Sequence, residues 1–157
     1  MYTYNETTMR CSPEIAFRYA SEVEKWPELL SHYRSTFFYE GNGRQGGVVE
    51  MAAVRPFPFF NWPVWWRSEM KVDEPGRRVL YTHTRGVTKG MEVEWRLVPE
   101  GESSVKVSIK HVWNEPPFGR RRIARLIGAW FVYVIAQRTL NGLRLQAELG
   151  KGRAGNE

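Results

Sequence analysis

The most regular pattern along the chain is a proline-free stretch of apolar and polar positions that runs from residue 118 to residue 149. Ile127, Trp130 and Val134 fall on one stripe at helical spacing, and Gly150 is suited to the turn that closes a helix. A single helix of this length would span about 45 Å. We therefore predict a long C-terminal helix over residues 118–149 in which Trp130 and Val134 are buried.

Most of the preceding chain alternates between apolar and polar residues, which is the pattern of half-buried strands. Ser12 before Pro13 marks the start of a short helix that reaches about residue 22, and a second short helix is predicted over residues 24–31. Strands joined by short turns form an antiparallel sheet, and its dry face must be covered, here by the last helix. The fold class is therefore predicted as α+β. The strands are predicted over residues 2–9, 33–40, 47–55, 64–72, 78–85, 91–98 and 103–113.

With 157 residues, of which 42% are apolar, the chain is long enough for one domain with a sizeable core. We predict that domain over residues 1–149, with residues 150–157 as a flexible tail. Cys11 is the single cysteine, which excludes an internal disulfide and fits the reducing cytoplasm. The polar start has no signal-peptide pattern, and the longest apolar run, residues 123–136, is shorter than the ~20 residues of a membrane span. We expect a cytoplasmic protein whose contact with a membrane, if any, is peripheral.

Residues 23–33 read Val-Glu-Lys-Trp-Pro-Glu-Leu-Leu-Ser-His-Tyr and follow the helix start Ser12-Pro13-Glu14. With the order of predicted elements, this segment resembles the start of the bacterial polyketide cyclase/dehydrase group in the START-like or Bet v 1-like (SRPBCC) superfamily. It is also similar to the coenzyme Q-binding START proteins, and the resemblance covers about residues 2–149. It implies a helix-grip fold: a curved antiparallel sheet of six or seven strands around the long C-terminal helix, with two short N-terminal helices and a hydrophobic cavity between sheet and helix.

The resemblance also implies a function. In the aromatase/cyclases of this group a tyrosine after the Trp-Pro-Glu-Leu segment lines the cavity, and Tyr33 matches it. Those enzymes carry a cavity arginine two residues past a serine; counted from Ser68, that position is Met70 here, so the group that holds the polyketide oxygens is missing. We therefore expect a protein that binds a hydrophobic small molecule, such as a lipid, a quinone or a polyketide-like aromatic. The alternative is a polyketide cyclase or dehydratase, because fold alone does not choose between them.

His111 continues the apolar face of Val105, Val107 and Ile109 on the last predicted strand. In the functional interpretation, this histidine binds a ligand oxygen or acts as an acid or base. In the structural interpretation, it is a hydrogen-bonded histidine of the core or its rim. No catalytic motif stands out, no metal-ligand spacing joins the three histidines, and neither a metal nor a cofactor is expected. The residues expected at the cavity or its mouth are Trp26, Tyr33, Phe59, Phe60, Trp66, Met70, Trp95, His111, Trp113, Ile127, Trp130 and Val134.

The segment from Pro56 to Trp66 is rich in Phe and Trp, yet its three prolines favour a loop over residues 56–63. We expect an aromatic lid over the cavity mouth; a plug of the core and a dimer interface are the alternatives.

Four arginines lie in the first turns of the predicted long helix, where the helix dipole is also positive. This arrangement favours a bound anion, such as an anionic membrane surface, and the alternative is a solvated basic face. The net charge of +6 permits an acidic partner, but nucleic acid is not expected, and the oligomeric state stays open. These arginines are Arg120, Arg121, Arg122 and Arg125.

Overall fold

One curved antiparallel sheet of seven strands dominates the computed structural model, which describes residues 1–56, 60–114 and 128–154. Its strand order is β1-β7-β6-β5-β4-β3-β2, so consecutive strands from β2 to β7 are neighbours and β1 pairs with β7. This confirms the predicted α+β class and the predicted number of strands. The strands are β1 (Tyr2–Met9), β2 (Tyr33–Asn42), β3 (Gly46–Pro56), β4 (Asn61–Asp73), β5 (Arg78–Gly86), β6 (Glu92–Pro99) and β7 (Val105–Val112).

Two short helices connect β1 to β2, as the sequence predicts. The first, α1 (Pro13–Ser21), begins with Ser12 as its N-cap, whose hydroxyl oxygen accepts a hydrogen bond from the Ile15 backbone amide at 3.3 Å. A 3₁₀ turn at residues 23–25 leads into α2 (Trp26–Leu29). Trp26 is buried and donates its indole N–H to the Tyr19 carbonyl at 2.9 Å, which fixes α2 against α1.

The C-terminal helix, α3 (Tyr133–Ala154), follows a π-helical turn at residues 128–132 and lies across the inner face of the sheet. Its buried stripe is spaced at three or four residues, which is the period of an α-helix. Polar contacts fix it to the edge strand β1, where the Asn5 amide donates to the Tyr133 carbonyl at 3.1 Å and to Gln137 Oε1 at 3.0 Å. The stripe begins in the π-helical turn and continues along α3, and it consists of Val132, Ala136, Leu140, Leu143 and Ala147.

Three expectations for this helix are wrong. Trp130 is 59% exposed and not buried, and Val134 is only half-buried. The reason is the choice of helix face: residues 129–136 are all apolar in sequence, and the stripe that faces the core runs through Val132 and Ala136 and not through Trp130 and Val134. Gly150 does not end the helix, which continues to Ala154. The predicted part of the helix over residues 118–127 lies outside the described residues.

The loop predicted over residues 56–63 is also wrong at Pro56 and over residues 61–63, which belong to strands. Arg55 pairs with Trp62, and Pro56 with Asn61, so both flanks belong to a two-stranded ribbon at the tip of the β3–β4 hairpin. Pro63 is tolerated in β4 because β5 pairs with β4 only from Trp66 onward, which leaves the edge at Pro63 without a strand to bond. Residues 57–59 lie outside the described residues.

Among the helices of the described ranges, none is long and apolar enough to cross a membrane.

Candidate functional site

A cavity of about 80 Å³ lies between the inner face of the sheet and the start of α3. Because neighbouring strands are antiparallel, the end of β3, the start of β4, the end of β5 and the start of β6 meet at one end of the sheet. The cavity reaches this end, which we call the mouth end, through Val64, Val87 and Thr88. Phe131 and Val132 from the π-helical turn line the opposite wall. The site therefore needs both the sheet and the helix to form.

Aromatic side chains build one continuous wall of the cavity. Trp26 contacts Trp95 with ring centroids 5.5 Å apart and Tyr33 edge-on at 5.1 Å. Tyr33 in turn contacts Trp66 at 6.2 Å, and Trp66 stacks on the His83 imidazole at 5.9 Å with an interplanar angle of 7°. Contacts of this kind hold each ring in place, so the cavity has a preorganised and largely apolar wall.

Two polar atoms of the cavity lining are buried without a hydrogen-bond partner in the described part of the chain: the Tyr81 hydroxyl and His111 Nδ1. The strand register places both residues on one face of the sheet. Tyr81 is paired with Val93, and Val93 with His111, so the three residues form one row across β5, β6 and β7. A buried polar group without a partner costs free energy, which makes these two atoms the natural binding points for a polar group of a ligand.

Burial sets the protonation of the site. It lowers the pKa of His111 to about 4, and burial followed by the nearby His111 lowers the pKa of His83 to about 3. The His83 ring also bonds the Thr88 hydroxyl, Nδ1 to Oγ1, at 2.6 Å. Burial raises the pKa of Tyr33 and of Tyr81 above the ordinary tyrosine value. At neutral pH all four side chains are therefore uncharged, and the site offers hydrogen bonds without a formal charge.

His32, unlike His83 and His111, is not among the residues that line the cavity. Its Nε2 bonds Thr139 Oγ1 at 2.9 Å, and that hydroxyl donates to the Ile135 carbonyl at 2.9 Å, which links the segment before β2 to α3. Burial and then the charge of Arg138 lower the pKa of His32 to about 4.

No cluster of three metal-ligating side chains occurs among residues 1–56, 60–114 and 128–154.

The structure brings five of the predicted residues together as cavity lining: Trp26, Tyr33, Trp66, Trp95 and His111.

Other predicted residues lie elsewhere. Met70 and Trp113 are buried but are not among the described lining residues, and the Trp113 indole instead donates to the Lys89 carbonyl at 3.1 Å. Val134 is half-buried away from the cavity lining, and Phe60 and Trp130 are exposed. The predicted residues that lie outside the described part of the chain are Phe59, Arg120, Arg121, Arg122, Arg125 and Ile127.

Sequence reasoning did not place Tyr81 or His83 in the cavity. The signal was present, because Val79, Tyr81 and His83 alternate on β5 and all three are buried. Val79 marks that face as the inner one, and the same alternation places the next two residues on it. His111, in contrast, follows three apolar residues of the same face and was found by that pattern.

Comparisons with solved structures identify the architecture. The protein TTHA0849 of Thermus thermophilus superposes with a TM-score of 0.75 at 19% identity, covering 96% of this chain and 99% of that one. The Zhui aromatase/cyclase of a Streptomyces species superposes with a TM-score of 0.76 at 14% identity, covering 94% and 93%. A START superfamily protein of Mycobacterium smegmatis gives a TM-score of 0.68 at 11% identity, covering 94% and 97%. These identities establish a shared fold and no more.

A sequence comparison gives the family. The model described as polyketide cyclase/dehydrase and lipid transport matches residues 9–131. No curated protein matches the chain in sequence. The matched range begins at the end of β1 and ends within the π-helical turn before α3, so it includes every strand from β2 to β7. With its START/Bet v 1-like fold, the chain belongs to the polyketide cyclase/dehydrase and lipid transport family.

Proposed function

We propose that the protein binds a hydrophobic small molecule, such as a lipid, a quinone or a polyketide-like aromatic, in the cavity between the sheet and α3. The carrying observation is the aromatic wall from Trp95 to His83, combined with the absence of charged side chains from the described cavity lining. A concave, largely apolar pocket with a few placed polar groups is the usual form of a small-molecule site.

The size of the cavity limits how such a ligand enters. Its volume of about 80 Å³ is smaller than that of an apolar protein cavity of ~150 Å³ that holds benzene. Even a one-ring ligand therefore requires lining side chains to move. Phe131 and Ile135 are the half-buried lining residues of the helical wall, so they can shift at lower cost than the fully buried strand residues.

A pair of neighbouring tryptophans provides the test. Trp66 lines the cavity, whereas Trp65 is 47% exposed and does not line it. We expect the neutral dye N-phenylnaphthylamine to bind the native protein with a rise in fluorescence. Trp66→Ala should weaken this binding about tenfold, which corresponds to ~1.4 kcal/mol of lost contact, while Trp65→Ala should leave it unchanged. Equal effects of the two substitutions, or no binding by the native protein, would refute the proposal.

The second candidate function is a polyketide cyclase or dehydratase. The observation that favours it is the presence of Tyr33, Tyr81, His83 and His111 in one cavity. In an aldol cyclisation a neutral imidazole would take a proton from the CH₂ between two carbonyls, and a tyrosine hydroxyl would donate a hydrogen bond to the enolate oxygen. The new carbon–carbon bond then forms, and loss of water follows.

The protonation of the histidines weighs against this chemistry. An imidazole with a pKa of about 3 or 4 is a poor general base, because catalytic pKa values lie near the working pH. For this reason we place binding first. Turnover of a poly-ketone substrate that is abolished by Tyr33→Phe would reverse that order.

We also propose peripheral contact with a membrane at the mouth end of a protein that resides in the cytoplasm. Phe60, Trp62 and Trp65 on the β3–β4 ribbon are 55%, 54% and 47% exposed, and Val87 on the next turn is 50% exposed. Large aromatic side chains at the boundary of a hydrophobic site are typical of surfaces that insert into the membrane interface. Contact there would let an apolar ligand pass between the bilayer and the cavity without crossing water.

Co-sedimentation with vesicles of phosphatidylcholine and phosphatidylserine tests this contact. Trp62→Ser/Trp65→Ser should reduce the bound fraction several-fold. The matched control is Phe37→Ser/Tyr39→Ser, an equally exposed aromatic pair on the edge strand β2. If the native protein stays in the supernatant, or if both double variants lose binding equally, the membrane proposal is wrong.

A further inference from the structure

We propose that the ligand of this cavity is a neutral molecule with a hydroxyl oxygen, held between Tyr81 and His111, and that the cavity rejects the corresponding carboxylate. This inference rests on the proposed binding function and narrows its ligand class. Three observations carry it: two unpartnered buried polar atoms, their place in one row of the sheet, and the chemistry of the remaining lining.

The first observation is the unsatisfied hydrogen-bonding capacity. Tyr81 is 5% exposed and His111 is 9% exposed, so water outside the protein does not solvate their polar atoms. The Tyr81 hydroxyl and His111 Nδ1 have no partner in the described structure. His83, in contrast, already bonds Thr88, so its Nδ1 is occupied. The free capacity of the lining is therefore concentrated at Tyr81 and His111.

The second observation is geometric. One strand separates Tyr81 from His111, and neighbouring strands are ~4.8 Å apart, so their backbones are about 10 Å apart on the same face. Val93 lies between them and carries no side-chain polar atom. A small polar group above Val93 thus has one polar side chain on each side.

The third observation concerns which polar group fits. A tyrosine hydroxyl both donates and accepts, and a neutral imidazole Nδ1 donates or accepts according to its tautomer. A ligand hydroxyl also donates and accepts, so it completes both bonds in either tautomer. A carboxylate, in contrast, brings a charge into a site whose described lining has no cation, and a buried unpaired charge is strongly disfavoured. Within the described lining, the chemistry therefore selects a neutral hydroxyl.

Three single-ring probes of similar size test the selectivity: phenol, toluene and benzoate at pH 7.5, with binding followed by amide chemical shifts. We expect phenol to bind about three- to tenfold more tightly than toluene, as one to two neutral hydrogen bonds provide. Benzoate should bind at least about 100-fold more weakly than phenol. Because burial keeps both histidines neutral above pH 6.5, these ratios should not change between pH 7 and pH 8.

Tyr81→Phe separates a binding role from a structural one. It should reduce the affinity for phenol to that for toluene and leave the affinity for toluene unchanged. The thermal midpoint should not fall, because the removed hydroxyl has no partner to lose. The control is Tyr2→Phe, which removes a hydroxyl from a residue that is 62% exposed and should change neither affinity.

The outcomes distinguish this inference from the proposed function. If toluene binds but phenol binds no better, a bound water already satisfies Tyr81 and His111, and the inference is wrong while hydrophobic binding stands. If benzoate binds as well as phenol, a charge is accommodated and the inference is wrong. If none of the probes binds and N-phenylnaphthylamine does not bind either, both proposals are wrong.

Discussion

Lowering the pH from 7.5 to 5 should strongly destabilise this protein, because all three of its histidines are buried in neutral form. His32, His83 and His111 are 7%, 6% and 9% exposed. Their pKa values in the folded protein are about 4, 3 and 4, against 6.5 for an ordinary histidine. The folded state therefore stays unprotonated at a pH where the unfolded chain binds protons.

The sign and size follow from proton linkage. Above pH 6.5 neither state is protonated and the stability is complete; as the pH falls from 6.5 towards 4, each histidine stabilises the unfolded chain by about 1.4 kcal/mol per pH unit. At pH 5 this amounts to about 2 kcal/mol for each histidine and at most about 6 kcal/mol for the three. Since a domain of this kind is stable by ~5–15 kcal/mol, the loss is a large part of the total.

Urea unfolding followed by tryptophan fluorescence at pH 7.5, 6.5, 5.5 and 5 measures this slope. Carboxylates whose folded pKa is lowered, such as Glu22 and Glu94, add to the loss only as the pH approaches the unfolded value of 4.5, so each of them contributes little down to pH 5. The variant His83→Gln should remove about a third of the slope. A free energy of unfolding that is constant between pH 7.5 and 5 would show that the histidines are accessible to protons in the folded state, and would refute the buried placement.

The remaining predictions concern α3 and the first helix. Leu140→Ala, at a fully buried position, should lower the free energy of unfolding by ~2–5 kcal/mol in urea denaturation, whereas Trp130→Ala should change it by at most about 1 kcal/mol; the opposite order would contradict the placement of the buried stripe. Ser12→Ala removes the cap of α1 and should cost about 1 kcal/mol in the same assay, with Ser12→Thr as the control that keeps most of it; equal values for both variants would exclude a capping role.

Much of the fold could be predicted because local rules and tertiary packing agree in most of this chain. Alternation placed most of the strands, since β1, β5, β6 and β7 each have one face towards the core. Ser12 before Pro13 fixed the start of α1. The segment Trp26–Tyr33 carried the family resemblance, and both of its end residues line the cavity.

The errors occur where a local rule did not apply. Helical spacing predicts the stripe of Trp130 and Val134 as buried, but residues 129–136 are all apolar in sequence, so spacing alone does not select the stripe of Val132 and Ala136 that faces the core. Pro63 favours a loop in the sequence because proline is rare in strands that are hydrogen-bonded to neighbours on both sides. In this structure β5 begins to pair with β4 only at Trp66, so Pro63 has a strand on one side only.

The polar part of the site was only half predictable. His111 follows three apolar residues on its strand, so its inward direction could be deduced. Its relation to Tyr81 depends on the register of β5, β6 and β7, which no local pattern gives. That both atoms lack a partner is a property of the complete packing and follows only from the structure.

The most direct test of the central claim is native mass spectrometry of the purified protein, compared with a variant in which the cavity is filled by Val93→Phe. Val93 lines the cavity between Tyr81 and His111, so a larger side chain there occupies the binding space. We predict a non-covalent adduct of a neutral apolar molecule on the native protein that is absent from a folded Val93→Phe variant. A native protein that carries no adduct after incubation with a lipid and quinone extract, or an adduct that persists on the filled variant, would contradict the account.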